Sequence, residues 1–125
     1  YETWNEDVLV ILQIETASAF ESVEEIAAVP GVDVLFIGPN DLSAALGMFQ
    51  DFNNPEFKAA VDRIRKAAEA NNIGVGYMCG DAESVLAKVD EGFTFLAAGT
   101  DARLISAGAA QTYKAIRDGI AARGK

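Results

Sequence analysis

The chain has 125 residues, half of them hydrophobic, so it is long enough to fold as one domain with a buried core. Its 19 acidic and 10 basic side chains give a formal net charge of -9, and a field of that sign repels nucleic-acid phosphates and anionic lipid headgroups. We therefore expect neither nucleic acid nor a membrane surface as a partner.

Other global features point to a soluble protein of a reducing compartment. Cys79 is the only cysteine, so an internal disulfide is impossible and a buried position is expected for this side chain. No apolar run approaches the ~18 residues of a spanning helix, and the charged start YETWNED is unlike a signal peptide. We expect a cytoplasmic protein. Because the first residue is Tyr1 and not Met, we also expect the natural polypeptide to begin further upstream.

The chain begins with a predicted strand and helix. Residues 8–15, VLVILQIE, are nearly all apolar and rich in β-branched side chains, as is typical of a parallel strand covered on both faces. A helix is expected over residues 18–29, where Pro30 and Gly31 end it. That helix carries two capping-box patterns, Ser18 with Glu21 and Ser22 with Glu25.

The strand–helix unit then repeats. Residues 32–38 form the second predicted strand, and residues 47–54 form a loop. The Asn54-Pro55 pair predicts the start of a helix. One face of that helix is apolar and consists of Phe57, Val61, Ile64 and Ala68.

Two further units complete the chain. A third strand over residues 73–78 precedes a helix that Asp81 caps and Gly92 ends. The fourth strand covers residues 93–99, and strong helix formers run from residue 101 or 102 to about residue 123. An apolar stripe is expected on this last helix, formed by Leu104, Ile105, Ala109, Tyr113, Ile116 and Ile120.

Four strand–helix units in succession predict an α/β fold with a parallel sheet and right-handed crossovers. Four units cannot close into a ring, whereas eight form a (β/α)₈ TIM barrel of about 250 residues. We therefore interpret residues 1–125 as a single partial domain, the C-terminal half of such a barrel.

Two acidic side chains fall where such folds place their chemistry, at the C-terminal ends of the strands. Glu15 ends the first strand after an apolar run, where an unpaired carboxylate is costly, and Asp41 follows the neighbouring strand in FIGPNDLS. Together they could hold a hard divalent cation such as Mg²⁺ or Mn²⁺, with Co²⁺ as a substitute. Two alternatives stay open: Asp41 caps a short helix beginning at Leu42, or a basic residue from an unseen strand neutralises Glu15.

Other polar residues at these ends carry weaker signals. Gln13 shares a face with Glu15 and either lines the site or bonds to the backbone. Asp81 and Asp101 are interpreted as helix caps. Arg103, near the fourth strand, could reach an anionic substrate, but we interpret it as a residue of a helix surface. The chain contains no histidine, so a Ser-His-Asp site cannot be formed within it.

The combination of QIETASAFESVEEIAAVPGVDVLFIGPNDLSAALG with GTDARLI further on resembles the C-terminal half of the class II pyruvate-dependent aldolases. This family includes the 4-hydroxy-2-oxoheptanedioate and 2-dehydro-3-deoxyglucarate aldolases and is related to citrate lyase β-subunits and macrophomate synthase. The resemblance covers nearly the whole chain. The pairing of QIET with GPNDLS about 25 residues later is its most specific part.

The resemblance implies a carbon–carbon lyase on a phosphoenolpyruvate/pyruvate-type barrel. Glu15 and Asp41 would be the metal ligands, the backbone amides of Asn40 and Asp41 would bind the carboxylate of pyruvate, and Gln13 would lie beside the metal. The metal would polarise the keto group and stabilise the pyruvate enolate that adds to an aldehyde or leaves on cleavage. Neighbouring subunits of a trimer or hexamer would line the site, and the loop MFQDF would suit such a contact or fold onto its own barrel.

The family takes its pyruvate-binding arginine and its histidine–aspartate base from the first half of the barrel, which this sequence does not contain. No catalytic residue is therefore assigned within the chain. A catalytically silent half-barrel that needs a partner half is one alternative function. A related CoA-ester lyase or decarboxylase on the same fold is another.

Overall fold

The computed structural model of the chain describes residues 7–124. Strands and helices alternate along this part. The elements are β1 (Ile11–Ile14), α1 (Ala17–Glu21), α2 (Val23–Ala27), β2 (Val34–Ile37), α3 (Pro39–Ala45), α4 (Pro55–Ala70), β3 (Gly74–Cys79), α5 (Ala82–Asp90), β4 (Phe95–Ala98) and α6 (Asp101–Ala121).

The four strands form one parallel sheet in the order β1-β2-β3-β4. This arrangement confirms the predicted α/β class with a parallel sheet. Residues that pair across the sheet lie on the same face, and one such row consists of Gln13, Phe36, Gly76 and Phe95. The C-terminal ends of all four strands consequently lie along one edge of the sheet, as the prediction of a shared site requires.

One face of the sheet carries the hydrophobic core. Leu35 and Ile37 of β2 and Val75 of β3 are buried there, and the helices that cover them include α2 and α4. In α4 the predicted apolar face is buried, including Phe57 at 2% exposure and Ile64 at 0%. Cys79 is also buried in this core, as predicted. Burying a side chain such as Ile64 contributes about 1.5–3 kcal/mol to folding.

The opposite face of the sheet is open over much of its area. Ile11, Met78 and Phe95 are more than a third exposed on the described structure. Phe36 and Phe95 meet edge to face on this side, with ring centroids 5.9 Å apart. They approach over Gly76, where a Cβ atom would lie 2.6 Å from Cδ2 of Phe36. Glycine is therefore required at this position by the packing of the two rings.

Several predicted boundaries shift. The first strand is shorter than residues 8–15, and the helix expected over residues 18–29 is two short helices separated at Ser22. Neither predicted capping box forms. Thr16 caps α1 by accepting a hydrogen bond from the Ala19 amide, and Ser22 makes no side-chain cap bond. The hydroxyl of Thr16, two residues before Ser18, accepts from the amide that α1 leaves free at its start, so the predicted cap lies two residues too late.

The last helix, α6, has the predicted length but no buried residue. Its apolar stripe faces solvent, with Leu104 at 65% and Ile105 at 72% exposure. The stripe was predicted correctly as a pattern, and no surface within residues 7–124 covers it. No helix in the described range is both long enough and apolar enough to cross a bilayer.

Candidate functional site

Glu15 directly follows β1 and Gln13 lies two residues before it, so both side chains project from the same face of the strand. The Gln13 side-chain amide donates a hydrogen bond to Oε2 of Glu15. Gln13 therefore bonds to the neighbouring carboxylate and not to the backbone. This contact fixes one oxygen of Glu15 and leaves the other without a hydrogen bond from the described residues.

Asp41 lies in the first turn of α3, directly after β2. The helix begins at Pro39 with Gly38 as its N-cap, so the alternative in which Asp41 caps a helix starting at Leu42 is wrong. The Pro39 ring suits the first helical position, which is the signal that the sequence interpretation passed over. The Asp41 carboxylate is thus free of capping duty, although its charge still suits the positive end of the short helix.

Two backbone donors of α3 are available at the same turn. The Leu42 amide bonds to the Gly38 carbonyl at 2.9 Å and completes the first intrahelical hydrogen bond. Pro39 has no amide hydrogen, and the amides of Asn40 and Asp41 precede the first possible intrahelical acceptor. These two N–H groups are the ones that the resemblance assigns to a substrate carboxylate.

The polar side chains converge on Gly38, the residue between β2 and α3. A Cβ atom at Gly38 would lie 2.7 Å from Nε2 of Gln13, 3.2 Å from Oε2 of Glu15 and 3.7 Å from Oδ2 of Asp41. Three polar atoms from two strand ends thus surround a position that holds only a hydrogen. The sequence interpretation missed Gly38, and its signal was a glycine placed directly between a buried strand and the acidic turn.

This arrangement suits a small hard cation. Two carboxylate oxygens lie within 3.7 Å of one point, and both side chains have solvent access: Asp41 is exposed and Glu15 partly so. Carboxylate oxygens are the protein ligands that Mg²⁺ prefers. No group of three or more Asp, Glu, Cys or His side chains that could hold a metal occurs in residues 7–124. Mg²⁺ sites that use one or two carboxylates take water and substrate oxygens as their remaining ligands.

Ser43 is a second residue that the sequence interpretation missed. It is fully buried, its hydroxyl donates to the Asn40 carbonyl at 2.9 Å, and it accepts from the Gln50 amide at 3.1 Å. The hydroxyl thereby ties the first turn of α3 to the loop that follows. The sequence signal for this role was a polar residue on the inner side of a short helix, since buried polar groups form hydrogen bonds.

One part of the MFQDF loop (residues 48–52) folds onto its own domain, and another part is exposed and available for a subunit contact. Phe52 stacks on Phe57 at 5.6 Å between ring centroids, and Met48 packs against the core. Phe49 between them is 64% exposed. Of the three large apolar side chains of this loop, Phe49 is therefore the most exposed and the most available for a contact with another molecule.

The acidic residues at the other two strand ends do not join this site. Asp81 caps α5 through a capping box, in which its carboxylate accepts from the Ser84 amide at 2.8 Å, as predicted. That hydrogen bond lowers the pKa of Asp81. Asp101 is not a cap, because Thr100 caps α6 by accepting from the Arg103 amide at 3.3 Å.

A cavity of about 850 Å³ lies on the helix-covered face between α4 and α5. Its lining includes Phe57, Tyr77, Cys79, Lys88 and Phe93. Burial raises the pKa of Tyr77 to about 12 and also raises the pKa of Cys79. Both groups stay protonated at neutral pH, so neither Tyr77 nor Cys79 supplies a base or a nucleophile in this cavity.

Comparison with known proteins agrees with the resemblance. Residues 2–107 match the sequence model of the HpcH/HpaI aldolase/citrate lyase family. A hydroxypyruvate/pyruvate aldolase of Paraburkholderia phytofirmans is 38% identical over 93% of this chain and 45% of its own length. A 2-dehydro-3,6-dideoxy-6-sulfogluconate aldolase of Pseudomonas putida is 36% identical over 94% of this chain and 49% of its own length.

Solved structures give the same result for the fold. A HpcH/HpaI aldolase/citrate lyase family protein from Burkholderia cenocepacia superposes with a TM-score of 0.86 at 34% identity, covering 93% of this chain and 45% of that one. Macrophomate synthase superposes with a TM-score of 0.74 at 26% identity, over 94% of this chain and 42% of its own. The chain spans just under half the length of these relatives, which is consistent with a partial barrel.

Proposed function

The chain belongs to the HpcH/HpaI aldolase/citrate lyase family, and we propose that it supplies the cation-binding half of a carbon–carbon lyase site. The reaction would be aldol cleavage or formation of 2-oxo-hydroxy acids, with pyruvate as the donor. A divalent cation, Mg²⁺ or Mn²⁺ with Co²⁺ as a substitute, would be the cofactor.

One observation carries the proposal. Polar groups of Gln13, Glu15 and Asp41, from the ends of two adjacent strands, surround the hydrogen of Gly38. Two carboxylates directed at one position favour a cation between or beside them. The relatives named as aldolases at 36–38% identity supply the reaction class.

Each residue has a distinct role in the proposal. Glu15 and Asp41 would hold the cation, which when bound would polarise the keto group of pyruvate and stabilise the enolate. The amides of Asn40 and Asp41 would donate to the pyruvate carboxylate, and Ser43 would keep that turn in place through its bond to the Asn40 carbonyl. Gln13 would orient Glu15 and contact the substrate beside it.

The general base is not assigned to this chain, because it contains no histidine. This favours a second candidate, in which the 125-residue chain alone is silent and needs a partner half. Assays of the chain alone and of the natural polypeptide that carries it separate the two. Turnover by the isolated chain with added Mg²⁺ would rule out the silent half. A CoA-ester lyase or decarboxylase would use the same two acids and would be recognised by its substrate.

Cation binding tests the site directly. We expect Mn²⁺ to bind the chain, measured by the loss of the free-ion electron paramagnetic resonance signal. Glu15→Gln or Asp41→Asn should weaken that binding by at least about tenfold, since each removes one charged ligand. Gly38→Ala should weaken it as well, because the added methyl would lie 2.7 Å from Nε2 of Gln13.

The controls are Glu25→Gln and Asp90→Asn, which remove the same charges from exposed helix positions. Both should bind Mn²⁺ as the parent chain does. In the natural polypeptide, Glu15→Gln should abolish Mn²⁺-dependent exchange of the pyruvate methyl protons, followed by NMR in deuterated water. Unchanged exchange in that variant would refute the assignment.

We also propose that the protein acts as a homo-oligomer, a trimer or a hexamer. The exposed Phe49 in the loop after α3 supports a contact between subunits close to the acidic turn. Light scattering should then show a smaller particle for Phe49→Ser than for the parent protein. An unchanged mass would remove this loop from the interface.

A further inference from the structure

The buried hydroxyl of Ser43 connects the MFQDF loop to the acidic turn in one direction only. The hydroxyl has a single hydrogen, and because the Asn40 carbonyl can only accept, that hydrogen is donated to Asn40. The Gln50 amide can only donate, so it uses a lone pair of the same oxygen. A chain of two hydrogen bonds thus runs from the loop through Ser43 to the first turn of α3.

The carbonyl at the end of this chain belongs to the peptide group that joins Asn40 to Asp41. A peptide group is planar, so a hydrogen bond to its oxygen also restrains the Cα atom of Asp41. The Asp41 side chain is exposed, and the hydrogen bonds found within residues 7–124 include none to its carboxylate. Its Oδ2 atom lies 3.7 Å from the position that a Cβ atom of Gly38 would occupy. The backbone of the turn therefore determines where this carboxylate lies.

The loop holds Gln50 in a backbone conformation that favours glycine. Gln50 has a φ of 60°, in the left-handed region where the Cβ atom of an L-residue crowds its own backbone. The loop is fixed on both sides of it. The Met48 amide bonds to the Ser43 carbonyl at 2.7 Å, and Phe52 stacks on Phe57. In this conformation the amide of Gln50 is presented to Ser43.

We infer that Ser43 is a positioning residue for the cation site and that the MFQDF loop controls the site through it. The inference rests on the proposed function, in which Asp41 is a ligand of the cation. When the Gln50 amide leaves Ser43, the peptide before Asp41 loses its restraint and the carboxylate is no longer held near Gly38. The exposed Phe49 directly precedes Gln50, so a molecule that binds Phe49 and moves the loop would change the affinity for the cation.

Removing the hydroxyl tests the role of Ser43. The affinity of the 125-residue chain for Mn²⁺ is measured by electron paramagnetic resonance, at a temperature where circular dichroism shows every variant to be folded. A hydrogen bond between uncharged groups changes an equilibrium constant roughly 3- to 10-fold, so Ser43→Ala should weaken Mn²⁺ binding by that factor. Ser43→Thr keeps a hydroxyl and should bind Mn²⁺ more tightly than Ser43→Ala does.

Ser84 provides the matched control, because its hydroxyl also joins two backbone groups, at the start of the neighbouring helix α5. It accepts from the Asp81 amide at 3.2 Å and donates to the Asp81 carbonyl at 2.9 Å. Ser84→Ala should leave the affinity for Mn²⁺ unchanged. An equal loss in Ser84→Ala and Ser43→Ala would mean that removing any such hydroxyl disturbs this edge of the sheet, and it would overturn the inference.

A β-branched residue at position 50 tests the role of the loop. Valine disfavours a positive φ, so Gln50→Val should move the amide away from Ser43 and weaken Mn²⁺ binding, although residue 50 is exposed. Gln50→Gly adopts a positive φ readily and should weaken binding less. Asn72 is the control for backbone strain, because it has a φ of 54° and precedes the start of β3, at the opposite end of the sheet. Asn72→Val should bind Mn²⁺ as the parent chain does.

The double variant Ser43→Ala/Gln50→Val distinguishes a connected chain of bonds from two separate effects. Both substitutions break the same chain, so the double variant should lose no more affinity than Ser43→Ala alone. Losses that multiply, or a normal affinity in either single variant, would overturn the inference.

Variants of the two acids separate this inference from the proposed function. If Glu15→Gln and Asp41→Asn weaken Mn²⁺ binding but Ser43→Ala does not, the positioning role is wrong and the cation site stands. If neither acid affects Mn²⁺ binding, the cation site is wrong, and the role of Ser43 is wrong with it.

Discussion

The two long helices, α4 and α6, share an amphipathic sequence pattern but differ in whether the apolar face is buried. Both carry an apolar face at helical spacing. In α4 that face is buried against the sheet, and Phe57 is 2% exposed. In α6 no residue is buried, and Ile105 is 72% exposed. An amphipathic pattern therefore predicts that a helix forms, but it does not identify the surface that covers it.

The difference has a physical cause. Burial depends on a complementary surface at the right distance, and α4 finds one on β2 and β3. For α6 the described residues provide none, so its helical state depends on intrinsic propensity, the Thr100 cap and local ion pairs. The stability of α4 should therefore depend on the side chains that fill the core, and that of α6 on the helix propensity of its residues.

Removing a large apolar side chain from each helix tests this difference most strongly. Phe57→Ala leaves a cavity in the core and should lower the free energy of unfolding by about 3–5 kcal/mol. Ile105→Ala removes an exposed side chain and introduces a better helix former, so its effect should stay below about 0.5 kcal/mol. Urea unfolding of the 125-residue chain measures both.

A loss of more than about 1 kcal/mol for Ile105→Ala would break the comparison. It would mean that the stripe of α6 is covered in solution, for instance by a second copy of the chain. Repeating the measurement at several protein concentrations then identifies that case, because stability that comes from association rises with concentration.

Replacing glycine by alanine should lower the stability of the fold at Gly76 in β3 and raise it at Gly108 in α6. At Gly76 the added methyl would lie 2.6 Å from a Phe36 ring atom and 2.7 Å from the Phe95 carbonyl oxygen. Overpacking of this kind costs about 1–3 kcal/mol. At Gly108 in α6 nothing outside the helix lies within 4 Å, so alanine should stabilise the helix by about 0.5–1 kcal/mol. Circular dichroism during thermal unfolding measures both changes, and equal signs would contradict the account.

Much of the fold could be predicted because the strands are short apolar runs between clear turn residues. β2, with four buried residues, and α4, with Pro55 at its start, were recognised from pattern alone. The division of the first helix at Ser22 could not be, since a serine is compatible with either a helix interior or a turn. The exposure of α6 could not be predicted either, because it depends on the surroundings of the helix and not on its own sequence.

The candidate site was predicted in part, and its metal ligands remain a prediction. The positions of Glu15 and Asp41 at adjacent strand ends followed from the topology of a parallel sheet, and the structure places their carboxylates around Gly38. The direct contact between Gln13 and Glu15 depends on rotamers, which sequence patterns do not specify. The Nη1 atom of Arg103 lies 3.4 Å from the position that a Cβ atom of Gly80 would occupy, and this contact depends on the angle at which α6 leaves β4, which is likewise a tertiary property.

The smallest effect expected concerns ion pairs. Arg63 of α4 donates to both carboxylate oxygens of Glu24 in α2 at 2.7 Å, so this pair joins two elements, whereas the Lys114–Asp118 pair lies within α6. The hydrogen bonds from Arg63 lower the pKa of Glu24 below its ordinary value of 4.5. A lowered pKa means that the ionised carboxylate stabilises the fold, fully above pH 4.5, and that this contribution disappears as the pH falls through the lowered value.

Glu24→Gln should therefore reduce the urea midpoint at pH 7, and the difference from the parent chain should shrink towards pH 2. Glu25→Gln, on the same short helix but without a contact to Arg63, should leave the midpoint unchanged at both values. Asp118→Asn should have a smaller effect than Glu24→Gln at pH 7, because its pair holds together only residues of one helix. A difference between Glu24→Gln and the parent that grows as the pH falls would show that the carboxylate destabilises the fold, and that α2 and α4 are held together by their apolar contacts alone.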